Sequence, residues 1–276
     1  MRLDLNSTGA AWNNQNVRVV SLCPSITESL VALGAADVLV GVTRYCIHPR
    51  EALAGIPRMG GTKNPDLAAI RAAVPDLVFC NSEENRAADI EALAADLRVD
   101  VSHPRTVAEI PGLLRHFGEL LDRVQAAEEF SSKVERALER VEGTDARRGG
   151  VSSAAGSARF RFVYLIWKDP WMTVGPRTYI ADLLRRVGGS SSVEEKNDEG
   201  NDYPVATEDE ILAQAPDILI LPDEPYRFCE RDAGFWRERL PASSRVVLVP
   251  GDDFCWHGVR TLRGLEAAAA LARSMA

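Results

Sequence analysis

The sequence predicts an α/β protein: two lobes with mainly parallel sheets flanked by helices, joined by one long backbone helix. Three observations carry this. Short β-rich runs alternate with helical stretches, first from residue 17 to 106 and again from 159 to 276, the pattern of parallel sheets wrapped by helices. Between them, apolar residues fall at helical spacing from Val107 to about Glu142 (Leu113, Leu114, Phe117, Leu120, Leu121, Val124, Phe130, Val134, Leu138 and Val141). The two halves also echo each other, since Pro75-Asp76-Leu77-Val78 and Pro216-Asp217-Ile218-Leu219 each follow an Ala-rich helix and open a strand.

Element by element, Arg18–Leu22 reads as a strand that runs through Pro24 into a helix ending at Gly34, with Ser25-x-x-Glu28 as its capping box. Val38–Val42 is the next strand, and Thr43–Pro65 is irregular, with Gly60-Gly61-Thr62-Lys63 a turn rather than a phosphate loop. A helix from Asp66 to Pro75, a strand at Leu77–Cys80, a helix at Glu84–Ala95 and a strand at Leu97–Val101 complete the first lobe. The helix from Val107 is interrupted only at Pro111 and Gly118. In the second lobe, strands are expected at Phe160–Ile166, Ile218–Leu221 and Val246–Val249. Helices are expected at Tyr179–Val187, after the cap Thr207-x-x-Glu210, and at Leu262–Met275. The domain boundaries that follow are a polar leader at 1–16, a lobe at 17–106, the linking helix at 107–143, an exposed loop at 144–158 and a lobe at 159–276.

Composition narrows the function. At 276 residues and 46% hydrophobic there is material for two cores. A net charge of -8 argues against nucleic-acid partners, which require clustered Lys and Arg, and no run is long and apolar enough for membrane insertion. Five cysteines, odd in number and without a Cys-x-x-Cys pair, fit reduced thiols rather than a disulfide framework. With Met1–Asn16 polar and lacking the pattern of a secretory signal, the expected location is the cytoplasm, or the periplasm should an export leader have been removed. The expected assembly is a monomer or dimer.

Ligands of such lobes meet the loops beyond the carboxyl ends of parallel strands. Those loops, Cys23–Ser25, Thr43–Pro49, Cys80–Asn85, Trp167–Met172, Pro222–Cys229 and Asp252–Arg260, hold the candidate ligand-binding residues Pro24, Ser25, Tyr45, Cys46, His48, Cys80, Asn81, Trp167, Trp171, Tyr226, Trp256 and His257. Flat aromatic faces suit a flat or bulky apolar ligand; Trp12 and Trp236 are expected only to pack. Cys46-x-His48 and Cys255-x-His257 repeat one pattern in each lobe and, with Cys80, form a candidate zinc or other bare-metal set. A thiol nucleophile at Cys80 or Cys255 beside a histidine is a third option, although no Gly-x-Ser-x-Gly elbow or dinucleotide fingerprint accompanies it. Glu83-Glu84 reads as charge at a helix start, and Glu28 as the partner in its capping box.

Val19-Val20-Ser21-Leu22-Cys23-Pro24-Ser25-Ile26-Thr27-Glu28, Gly41-Val42-Thr43-Arg44-Tyr45-Cys46, Pro75-Asp76-Leu77-Val78, Thr173-Val174-Gly175 and Trp256-His257-Gly258 together resemble the helical-backbone metal receptors. These are the class III, periplasmic-binding-protein-like receptors of ABC transporters for cobalamin, haem or ferric siderophores. The resemblance runs over nearly the whole chain from Val17. It implies a substrate-binding-protein-like receptor, not an enzyme, that holds a metal chelate in the cleft between its lobes. A corrinoid such as cobalamin is the first expectation, with Tyr45, Trp167 and Trp256 as its aromatic contacts, and haem or chelated iron the alternative. No cofactor is required beyond that bound ligand. Members that dock on a permease present an acidic residue from each lobe; Ala88 and Gly258 stand at the matching positions, so an ABC permease partner is left as an open option rather than an expectation.

Overall fold

The computed structural model describes residues 17–147, 158–192 and 201–275. Trp12, the leader and most of the loop expected at 144–158 lie outside the described residues.

The chain divides into two compact units. The first comprises residues up to Pro104, Glu109–Val134 and the four residues His257–Arg260. The second comprises Arg105–Ala108, Glu135–Trp256 and Thr261 onward. Both are therefore discontinuous in sequence, each completed by short pieces of chain from elsewhere.

In the first unit, β1 (Val19–Ser21), α1 (Pro24–Ala32), β2 (Leu39–Val42), α2 (Leu67–Ala72), β3 (Leu77–Asn81), α3 (Ala87–Ala94) and β4 (Val99–Ser102) follow in order. The strands form a parallel sheet in the order β2-β1-β3-β4. One face packs Ile26, Leu30, Phe79 and Phe117, and the other packs Val20, Ile70, Val78 and Ile90. Burial on both faces explains why these strands read as continuous apolar runs rather than alternating ones.

The helical run expected as one element is two: α4 (Ile110–Leu121) and α5 (Val124–Arg147). Neither Pro111 nor Gly118 breaks it. Pro111 sits in the first turn, where a missing N–H costs nothing. Gly118 lets α4 approach α5, since a Cβ there would lie 2.4 Å from that of Ala127. The break falls at Asp122, in the left-handed region at φ 54. The chain therefore turns a corner, and the apolar spacing continues into a second helix.

The second unit holds β5 (Phe160–Trp167), β6 (Met172–Thr173), α6 (Tyr179–Arg185), β7 (Gly189–Ser191), α7 (Glu208–Ala213), β8 (Ile218–Pro222), α8 (Glu230–Arg237), β9 (Arg245–Val249), α9 (Asp252–Cys255) and α10 (Thr261–Arg273). Its sheet runs β6-β5-β8-β9 with β7 also on β5, and only β6 is antiparallel. Thr207 and Glu210 make the expected capping box in full. The other one does not form. Pro24 takes the first position of α1, the N-cap Cys23 makes no side-chain bond to the helix's first N–H groups, and Glu28 is drawn instead to Arg260 at 2.8 Å. The structure thus consists of mixed α/β units with mainly parallel sheets flanked by helices. Among the described residues no helix is long and apolar enough to cross a membrane.

Candidate functional site

In the first unit the strand ends are closed by a polar network. Asn81, the last residue of β3, accepts the Glu83 and Glu84 backbone N–H groups on Oδ1 at 2.9 and 3.1 Å. Its amide nitrogen is thereby the atom facing His257 Nε2, 3.3 Å away. Since that nitrogen only donates, Nε2 accepts, and it accepts from Ser25 Oγ too at 3.2 Å. His257 is the neutral tautomer. Burial, with the charge of His103 adding to it, holds its pKa down to about 4. Next to it, Gly258 at φ +80 lies so close to α1 that a Cβ would meet Ser29 Oγ at 2.0 Å. The Val259 N–H donates to that hydroxyl, and Arg260 forms a two-pronged bond to Glu28. Residues 257–260 act as a strap laid on α1.

The Thr43–Pro49 loop turns one residue in and its neighbours out. Cys46 is wholly buried; Thr27 donates to its sulfur at 3.0 Å, the sulfur shares a hydrogen bond with Thr43 Oγ1 at 3.1 Å, and burial pushes its thiol up. Arg58 Nη1 ties the loop by donating to the carbonyls of Thr43 and Cys46. Tyr45 and Ile47 are exposed, with the Arg44 guanidinium 5.4 Å from the tyrosine ring centre. His48 is half-buried.

The second unit presents aromatic rings at its strand ends instead. Trp167, the last residue of β5, is 42% exposed and meets Tyr226 edge-on at 5.6 Å. Tyr226, half-buried, leans on Phe228 at 4.7 Å. A turn through Asp169, at φ 58, brings the chain back as β6. Cys255 donates to Glu224 Oε1 at 3.4 Å. Burial, reinforced by neighbouring acidic charge, raises the Glu224 pKa despite the bonds from Cys255 and Trp256.

The geometry places the other expected site residues as follows. Trp171 is core: it stacks on Phe228 and packs against Phe235 and Trp236. Trp256 is 7% exposed. Pro24, Ser25, Asn81 and His257 are buried in the helix start and the polar network rather than open to a ligand. Cys46 and Cys80 lie within hydrophobic cores, and among the described residues no three His, Cys, Asp or Glu side chains are grouped to hold an ion. As nucleophiles these thiols are poorly placed: burial, with the charge of Asp100, pushes Cys80 up to about 12, and the thiolate is the reactive form. Among the expected site residues, Tyr45 and Trp167 are exposed, and His48, Tyr226 and Cys255 partly so. Reasoning from sequence missed Lys168, Asp232, Glu224 and Arg260; apart from the Cys229–Asp232 bonds three residues apart, their partners lie 31 to 232 positions away and leave no local signal.

Two units built on mainly parallel sheets flanked by helices define an α/β protein of two sheet-based units. The profile of the family described as periplasmic binding protein matches residues 19–225, and the chain belongs to that family. It is similar to a vitamin B12-binding protein of Pectobacterium atrosepticum, 23% identical over 246 residues that cover 89% of this chain and 84% of that protein. Its fold is shared with a periplasmic vitamin B12 binding protein of Vibrio cholerae (TM-score 0.78, 18% identity, 94% of this chain and 97% of that one). It is also shared with a periplasmic heme-binding protein from Roseiflexus sp. RS-1 (TM-score 0.75, 18% identity, 94% and 98%).

Proposed function

We propose that this protein binds a flat, bulky metal chelate, a corrinoid first of all, through the Trp167–Tyr226 face of its second unit. The observation that carries the reading is that edge-to-face pair. A large apolar ring left 42% exposed at the end of a parallel strand is unused packing surface at the place where ligands of α/β units bind. The vitamin B12-binding relatives support a corrinoid. Binding rather than catalysis is the role: Cys80 is buried with its thiol pushed up to about 12, and the relatives are named as binding proteins.

A second reading, haem, is favoured by one observation in the first unit. Tyr45 offers an exposed phenol oxygen, a donor that ferric iron accepts in haem proteins, with Arg44 beside the ring.

The reading is of a receptor that works without a two-acid permease contact. Ala88 is exposed and uncharged, and the crowding at Gly258 leaves no room for an acidic side chain. We place it in the reducing cytoplasm, consistent with five free thiols.

Titration of the protein with cyanocobalamin, ferric haem and a ferric siderophore, followed by visible absorbance and calorimetry, tests this. Saturable micromolar binding of cyanocobalamin, weakened about tenfold by Trp167→Ala as for one lost aromatic contact, is the expected result. Binding of haem alone, lost in Tyr45→Phe, would replace it with the second reading. Absence of binding by all three would end both.

A further inference from the structure

We propose that Asp232 is the positioning residue of the aromatic face: one buried carboxylate that fixes both turns carrying Trp167 and Tyr226. This rests on the reading of those rings as the ligand's platform. The Asp232 side chain is 1% exposed. One of its oxygens accepts from Lys168 Nζ at 2.7 Å, and the other accepts from the Cys229 N–H at 3.1 Å and the Cys229 thiol at 3.2 Å. Lys168 directly follows Trp167, and Cys229 is three residues beyond Tyr226. Both ligand-face turns are therefore referenced to the same point.

The division of labour within the carboxylate makes the role more than local. The start of α8 uses only the oxygen bonded to Cys229. The other oxygen does nothing for α8, and it reaches across to the β5–β6 turn. There the Lys168 ammonium also lies 5.5 Å from the ring centre of Trp171, so the lysine is held between a carboxylate and the core aromatic cluster. A buried carboxylate with no partner would be costly, so these donors are what keep Asp232 in place. In return, it keeps them in place. With Lys168 fixed, Trp167 has a defined exit from the strand; with Cys229 fixed, Tyr226 has a defined approach. Their edge-to-face contact needs both.

The test begins with apo protein. Lys168→Met and Asp232→Asn should each remove the near-ultraviolet circular dichroism that Trp167→Phe removes, with far-ultraviolet spectra unchanged, and Lys168→Arg should restore it. In the Asp232→Asn variant an amide oxygen still serves Cys229, so α8 keeps its start. In calorimetry with cyanocobalamin, Asp232→Asn should weaken binding about tenfold in the native background but less than about twofold in Trp167→Ala, because it acts through that ring. Retention of the dichroism in both Lys168→Met and Asp232→Asn, or effects that multiply in the double variant, would overturn the proposal. If Asp232→Asn fails to fold, Lys168→Met decides by itself. Should Trp167→Ala bind cyanocobalamin like the native protein, the platform reading fails while the apo spectra still decide the positioning role.

Discussion

The two units begin their sheets with the same corner and end them differently. In the first, Asp76 accepts the Arg18 N–H at 2.8 Å, and the Arg18 side chain donates to the carbonyls of Ala73 and Val74. In the second, Asp217 accepts the Arg161 N–H, and Arg161 donates to the carbonyls of Gln214 and Ala215. Val74 and Ala215 both take the left-handed conformation, at φ 45 and 41. At the opposite ends of the strands the likeness stops. In the first unit the end of β3 is closed by Asn81, Ser25 and the neutral His257, with Tyr45 exposed on the loop after β2, while the second shows the Trp167–Tyr226 pair to solvent. The amino ends of the strands carry the architecture, and the carboxyl ends are free to take different chemistry.

The sharpest way to break that comparison is within the second unit's aromatic cluster. Trp171→Ala should cost about 3–5 kcal/mol, as for a buried large aromatic, whereas Trp167→Ala, four residues away, should change stability by less than about 1 kcal/mol. Chemical denaturation of both variants reads this; equal losses would mean that the exposed ring is structural after all.

Next in size is the acid sensitivity of the first unit. The folded pKa of His257 lies at about 4, against an ordinary 6.5, so the unfolded chain takes up the proton more readily. The stability tied to a neutral His257 is complete above about pH 6.5 and is lost as pH falls toward 4, on the order of 3 kcal/mol in all. Urea midpoints of native protein and His257→Gln at pH 7.5 and 4.5 should show a smaller drop in the variant. An identical drop would mean that His257 is not the group responsible.

The smallest expected effect bears on the shared corner. Asp76→Ala and Asp217→Ala should each cost about 1 kcal/mol, and thermal unfolding should find them equal to within about 0.5 kcal/mol. A large inequality would make the two corners alike in form only.

How much of this was legible in the sequence follows from the range of the interactions involved. Thr207-x-x-Glu210 was readable because a capping box closes within four residues. Pro75-Asp76 and Pro216-Asp217 were readable because the corner is local on one side. Ser25-x-x-Glu28 misled because the spacing was right but Pro24 had already claimed the helix start, leaving Glu28 for an arginine 232 positions distant. The corner at Asp122 was invisible because apolar spacing continues from α4 into α5, and a left-handed aspartate has no periodic signature. For the site, residue type identified which aromatic side chains could matter but not which way they point. Trp167 and Trp171 bracket one tight turn, and only the folded chain shows one outside and the other inside.

The strap at residues 257–260 also bears on how the protein is made. Synthesis runs from the amino end, yet the first unit lacks residues 257–260 until most of the second unit has been made. Until then α1 has neither the arginine for Glu28 nor the imidazole for Ser25, so the half of the protein that emerges first must wait for a late segment before it can be finished.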